Sequence, residues 1–204
     1  MTSPSQRASS SSIAGSLLAN AGQACVAGSR LLVEQSIQAE FTARLVEITE
    51  KMRLGDPLDL GTEAGAVSSE TQLVKDLDFI AGASREGARL LTGGTRILAE
   101  TGGYFREEVF GPVLSVLPFR DEAEAVAIAN STPYGLASAV WTADLSRAHR
   151  MIRAIKAGVV HVNTYGGADN TVPLGGMRQS GNGHDKSLHA LDKYTELKTA
   201  WIQL

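Results

Sequence analysis

From residue 30 onward, short aliphatic runs alternate with stretches whose apolar positions recur every three or four residues. Arg30-Leu-Leu-Val-Glu34 reads as a strand. Ser36 then stands as the cap of a helix with Ile37, Phe41, Leu45 and Ile48 on one face, closed by Gly55-Asp-Pro57. A second helix is predicted over 68–85 with Leu73, Leu77, Ile80 and Ala81 inward, followed by a strand over 89–92 and a turn at Gly93-Gly94. The same reading gives a strand over 113–119, a helix over 121–130, a strand over 136–141, a helix over 145–155 and a strand over 158–162. Residues 166–185 hold six glycines and are expected to be loop, and 194–204 is expected to form a last strand. Strands alternating with helices predict an α/β fold on a mostly parallel sheet.

Composition narrows the function classes. The chain has 204 residues, 43% hydrophobic and 20% charged, and no apolar run approaches the roughly 18 residues of a membrane-spanning helix. A net charge of -3 without a basic stripe argues against a nucleic-acid partner. The small polar residues 1–12 are expected to be a disordered leader, and 13–18 is too short and too broken for a signal peptide. One cysteine excludes an internal disulfide and points to a reducing, cytoplasmic setting. Histidines 149, 161, 184 and 189 are scattered, so no metal is expected.

That cysteine is the first candidate for chemistry. A lone Cys is more often a small buried hydrophobe than a nucleophile. Here, however, Asn20-Ala-Gly-Gln-Ala-Cys25-Val-Ala-Gly28 sets the thiol between two glycines, in a tight connection before a strand. Such a connection presents the side chain, and the backbone N–H of the cysteine is a natural oxyanion donor.

The segment resembles the active-site turn of the aldehyde dehydrogenase superfamily, in which Gly-Gln-x-Cys carries the thiol that attacks the aldehyde. Three further segments match in the order the family requires. Arg106-Glu-Glu108-Val-Phe110-Gly-Pro112 is similar to the family's Glu-x-Phe-Gly-Pro motif. Asn130-Ser-Thr-Pro-Tyr134-Gly resembles a structural turn. Val162-Asn163 with Pro173-Leu174-Gly-Gly176 resembles the segment that closes over the aldehyde entrance. The resemblance implies that Cys25 is the nucleophile, that Glu108 and Phe110 hold the nicotinamide ribose and ring of NAD or NADP, and that Asn163 and Leu174 line the substrate pocket. Where the family has Phe and Lys, this chain has Leu174 and Arg178. The tail from Gln179 is closest to the γ-glutamyl-γ-aminobutyraldehyde dehydrogenase branch, which implies an amino-aldehyde substrate.

The same comparison sets the expected domain plan. Residues 13–185 would be the catalytic domain, with an internal deletion near 105–106, and 186–204 a C-terminal oligomerisation tail that makes a homo-oligomer, dimer or tetramer. The family's Rossmann-type cofactor domain, its oxyanion asparagine and its general-base glutamate are expected to be absent, so dinucleotide binding should be weak. Three activities stay open from sequence: NAD(P)-dependent aldehyde oxidation, an inactive fragment that only oligomerises, and thiol-dependent ester hydrolysis at Cys25.

Overall fold

A computed structural model describes residues 15, 18–94, 108–166 and 169–204. The leader expected over 1–12 and the deletion expected near 105–106 lie outside the described residues. Among the described residues, these strands and α-helices follow in chain order: β1 (Arg30–Glu34), α1 (Gln38–Glu50), α2 (Glu70–Arg85), β2 (Ser115–Phe119), α3 (Glu122–Ala129), β3 (Ala137–Val140), α4 (Leu145–Ala154), β4 (Val159–Val162), β5 (Leu174–Gly175) and β6 (His184–Asp185). The class is α/β with parallel pairing, as the alternation predicts.

Instead of one sheet, the described strands make three pairs. β1 runs parallel to β2 with Arg30 opposite Ser115 and Glu34 opposite Phe119. β3 runs parallel to β4 with Ala137 opposite Val159 and Val140 opposite Val162. Only the short β5–β6 pair is antiparallel, with Leu174 opposite Asp185. Pro118 in β2 offers no N–H, which suits a strand that is paired on one side only.

Helix periodicity places the core. Phe41 and Leu45 of α1 are buried with Leu18, Val33 and Leu114, and Ile37 and Ile48 pack against them. Removing such side chains from water contributes roughly 1.5–3 kcal/mol each. A second cluster joins Ile80 of α2 to Val109 and Val113, with Phe79 at its edge. Three helices start on the expected chemistry. Ser69 accepts from the Gln72 N–H (3.2 Å), Asp121 from Glu124 (2.9 Å) and Asp144 from Arg147 (3.2 Å), so each satisfies a donor that the first turn leaves free.

Several expectations are corrected. Ser36 does not cap α1; its hydroxyl donates to Glu34 instead (3.1 Å), and the helix begins after Ile37 with no side-chain cap. α1 ends at Glu50, well before Gly55. On α2, Ala81 faces solvent and Ala83 is buried, because the inward stripe follows Asp76, Ile80 and Ala83 at steps of four and three. Residues 89–92 form no strand; Thr92 makes a single bridge and donates to the Glu50 carboxylate at the end of α1 (2.8 Å). Residues 195–204 form no strand either, since nothing in the described chain lies alongside to complete a ladder, and Leu197 and Trp201 are 99% and 91% exposed.

Candidate functional site

Cys25 lies in a turn between a left-handed stretch (Asn20, Ala21 and Gly22 at φ 52, 53 and 70) and β1, and it is exposed. Among the described residues its backbone N–H donates to nothing, so it is free to meet an oxyanion. The turn borders a cleft of about 1480 Å³ that Glu108, Phe110 and Asn163 also line. Four of the five residues singled out from sequence therefore open on one space.

Two glycines set the distance between the cysteine turn and the Glu108–Phe110 segment. Gly22 has φ +70, and a Cβ there would lie 2.8 Å from Pro112 N and closer still to the Gly111 carbonyl. No other residue type suits both the left-handed backbone and the close approach. A Cβ on Gly111 would in turn run into the Asp76 carboxyl beneath it. Between these contacts Phe110 adopts φ 61, an uncommon conformation for a bulky residue, and its ring is 38% exposed at the cleft.

Helix α2 holds this segment from below. The Gln72 amide donates to Asp76 Oδ1 (2.7 Å) and to the Val109 carbonyl (2.9 Å), while Lys75 Nζ donates to the Glu108 carbonyl (3.2 Å). Asp76 is 1% exposed, and its Oδ2 has no hydrogen-bond partner. Burial pushes its carboxyl above the usual carboxylate range, against the opposing pull of the Gln72 donor and Lys75. The cysteine turn is tied to the start of the same helix: Gln23 Nε2 donates to Ser68 Oγ (2.9 Å) and Ser68 N–H to Gln23 Oε1 (2.7 Å).

A third element approaches from β4. Tyr165 OH donates to the Val26 carbonyl (2.7 Å), next to the nucleophile candidate. Its ring stacks on Trp141 at 6.5 Å with 3° between the planes, and His161 packs against it at 5.7 Å. Burial pushes the Tyr165 phenol up to about 12. Asn163, at φ 56, uses both ends of its amide on Thr142, accepting from the N–H (2.9 Å) and donating to the carbonyl (2.9 Å). It reaches the cleft, yet its side chain joins the ends of β3 and β4. Leu174 stands apart in β5 and does not line this cleft. Arg178 donates to the Asn130 and Thr132 carbonyls (2.9 and 2.6 Å), anchoring the glycine-rich loop to the turn before β3.

Gln72, Asp76 and Tyr165 are not singled out from sequence, and Gln23 enters there only as a motif residue beside Cys25. Gln72 and Asp76 lie four apart on α2, a spacing that puts them on one face, but only the fold brings that face under residues 108–112. No cluster of three or more His, Cys, Asp or Glu able to hold a metal ion occurs among the described residues. No described helix is long and apolar enough to cross a membrane.

Comparison with known proteins places this geometry. A family model described as "Aldehyde dehydrogenase family" matches residues 6–200. The chain is 47% identical to the NADP/NAD-dependent aldehyde dehydrogenase PuuC of Escherichia coli, over 98% of its own length and 42% of the relative's. It is 43% identical to a betaine aldehyde dehydrogenase of Sinorhizobium fredii, over 94% of this chain and 44% of the relative. Among solved structures, an indole-3-acetaldehyde dehydrogenase complexed with NAD+ superposes with a TM-score of 0.93 at 48% identity, covering 98% of this chain and 44% of that one. KauB of Pseudomonas aeruginosa, an aldehyde dehydrogenase, gives a TM-score of 0.93 at 47% identity with the same coverage. The chain thus spans less than half the length of the relatives it matches.

Proposed function

The chain belongs to the aldehyde dehydrogenase family, and from that membership we propose that it oxidises an aldehyde to the carboxylic acid at Cys25, with NAD or NADP as hydride acceptor. The observation that carries the reading is the single cleft onto which Cys25, Glu108 and Phe110 all open, held at fixed separation by Gly22 against Gly111.

The residues fit the nicotinamide end of the cofactor. Phe110 offers an exposed ring face and Glu108 a carboxylate for ribose hydroxyls on the same wall as Cys25. The pyrophosphate end fits less well. Helix N-termini favour anions, but the N-terminus of α3 brings Asp121 and Glu122 to the cleft. Millimolar dinucleotide affinity is the expected outcome. When bound, the nicotinamide supplies an acceptor for hydride.

The chain's own residues do the rest. Cys25 Sγ adds as thiolate to the aldehyde carbon and forms the C–S bond, while the carbonyl oxygen becomes an oxyanion facing the free Cys25 N–H. Loss of hydride from that carbon leaves a thioester on Sγ. Water then adds to the acyl carbon, the acid departs, and Sγ is free again. Gln72 and Lys75 hold the Glu108–Phe110 backbone in register with the thiol.

An amino-aldehyde is the proposed substrate class. Its support is the resemblance of the tail together with the stacked Trp141 and Tyr165 beside the cysteine turn, whose ring faces attract an ammonium group. The reading extends to a cytoplasmic homo-oligomer, dimer or tetramer, built through 186–204, where exposed Leu197, Trp201 and Ile202 await cover.

Turnover of γ-aminobutyraldehyde with millimolar NAD or NADP, followed by reduced cofactor, tests the proposal. Formation of reduced cofactor that Cys25→Ser abolishes supports it. Absence of turnover, or turnover equal in Cys25→Ser, refutes it for this chain.

A further inference from the structure

Helix α2 carries an acid where its period calls for an apolar residue. Its buried stripe runs Asp76, Ile80, Ala83, and Asp76 is 1% exposed, as buried as Val113 in the cluster around Ile80. A carboxylate has about four lone-pair sites to satisfy. Here Oδ1 accepts from Gln72 Nε2 (2.7 Å), and Oδ2 has no partner. Lys75, the cation whose field reaches the carboxyl, sends its ammonium to the Glu108 carbonyl instead (3.2 Å). The other titratable groups on the elements packed around it are Glu70 and Asp78 of α2, Glu108 of the segment above and Cys25 of the turn beyond Gly111. All four are exposed and acidic, so none offers a compensating positive charge.

The carboxyl meets residues 108–112 at two points. A Cβ on Gly111 would run into Oδ1, Cγ and Oδ2 together, so the whole carboxyl group lies against the Gly111 Cα. The Gln72 amide nitrogen serves both Oδ1 and the Val109 carbonyl (2.9 Å), which links the carboxyl to the residue before Phe110. Phe110 lies between these points at φ 61, and Gly111 in turn meets Gly22 of the cysteine turn. The seat of Phe110 relative to Cys25 therefore depends on this one side chain. With a proton on Oδ2 it is a neutral group whose Oδ1 still accepts from Gln72. Ionised, it places an uncompensated charge where water does not reach, and the cost falls only if water gains Oδ2. α2 is held by its own hydrogen-bond ladder, whereas residues 108–112 belong to no helix or strand, so Gly111 is the part that gives way.

We propose that Asp76 is a positioning residue for the Glu108–Phe110 wall and that its proton seats this wall. With the proton on Oδ2, residues 108–112 close on α2; when the proton passes to water, the hydrated carboxylate lifts Gly111 and loosens Phe110 against the cysteine turn. The seat itself rests on packing alone, and its meaning for cofactor binding rests on the reading of Glu108 and Phe110 given above. Burial holds the Asp76 carboxyl above its ordinary range, outweighing the Gln72 donor and Lys75, so the folded chain keeps the proton to higher pH than the unfolded chain. The stability this adds is complete below the unfolded carboxylate range and is lost as pH rises through the folded value. The wall is thus tightest in acid, and NAD affinity should weaken toward alkali.

Amide exchange of residues 109–113 in the full chain, followed from the acid to the alkaline end of its stable range and divided by the intrinsic rate at each pH, tests the proposal. In the parent, protection of this segment should fall by roughly tenfold or more as pH rises, the change that one pKa unit of linkage brings, while α1 and β2 keep theirs. Asp76→Asn keeps the shape and the acceptor for Gln72 without the charge, and should hold protection of 109–113 level across the range. Millimolar NAD should raise protection more in acid than in alkali in the parent, and equally at both in Asp76→Asn. Carbon-13 spectra of the aspartate carboxyls need no substitution: one carboxyl should titrate above the ordinary range, with the same midpoint as the loss of protection. The proposal is overturned if protection of 109–113 follows pH alike in the parent and Asp76→Asn, or if the loss spreads equally to α1 and β2. It is equally overturned if every aspartate titrates at about 3.9 or below. A pH step present in the parent and absent in Asp76→Asn, with exchange that ignores NAD in both, supports the seat and contradicts the cofactor reading of the cleft.

Discussion

The junction of Gly22 with Gly111 and the segment 188–204 meet opposite fates: one is enclosed by three pieces of chain and the other lies open. At the junction three pieces of chain meet: the cysteine turn, residues 108–112 and α2, fixed by Gln72, Lys75, Gln23 and a carboxyl buried under Gly111. In the terminal segment Leu188, Tyr194, Leu197, Trp201 and Leu204 are all more than three-quarters exposed. The apolar pattern of 194–204 resembles that of β1, but β1 has β2 beside it. An apolar run becomes structure only where a second surface of the same chain completes it, and elsewhere it remains a surface for another molecule.

The largest effect should come from the core that supports the junction. Phe41→Ala removes the centre of the cluster with Val33, Leu45 and Leu114 and is expected to lower stability by about 3–5 kcal/mol, read by urea unfolding. Gly111→Ala forces a methyl group against the Asp76 carboxyl. A loss of about 3 kcal/mol and disturbed labelling of Cys25 are expected, whereas an unchanged melting temperature would mean that the junction is looser than described.

A titration effect of intermediate size is predicted at Tyr165. Its phenol ionises at about 12 in the folded chain against about 10 when unfolded, so between those values the folded state holds more proton. The stabilising contribution is complete below pH ~10 and is lost as pH rises through ~12, by about 3 kcal/mol in all. Tyr165→Phe should flatten that part of the stability–pH curve. Capping comes next: Ser69→Ala should cost about 1 kcal/mol through the lost bond to the Gln72 N–H, and α2 carries the clamp on Val109. The smallest effect belongs to the tail, where Trp201→Ser should change the stability of the single chain by less than about 0.5 kcal/mol while improving its solubility.

Much of this was legible in the sequence. Periodicity located β1 to β4 and the four helices within a few residues, and the spacing of Phe41 and Leu45 gave the inner face of α1. Local chemistry pointed to Cys25 and the family resemblance to Glu108 and Phe110, and the fold brings all three to one cleft. What escaped depends on distant partners. Ser36 has the right chemistry for a cap but finds Glu34 closer. Asp76 breaks the apolar stripe of α2, and nothing local says that Gly111 and Gln72 enclose it. The separation of two parallel pairs around a shared cleft is a property of tertiary spacing, to which a strand pattern is blind. Leu174 matched a motif in sequence and lies in β5, outside the residues that line the cleft with Cys25.

The most direct test of a shared thiol and nicotinamide cleft is the rate of Cys25 alkylation by iodoacetamide as NAD is raised to millimolar concentration, in the parent chain and in Glu108→Ala. Expected is a saturable change in rate with NAD that Glu108→Ala removes, because a ring held against Phe110 must alter access to the thiol. A rate independent of NAD in both chains would contradict it.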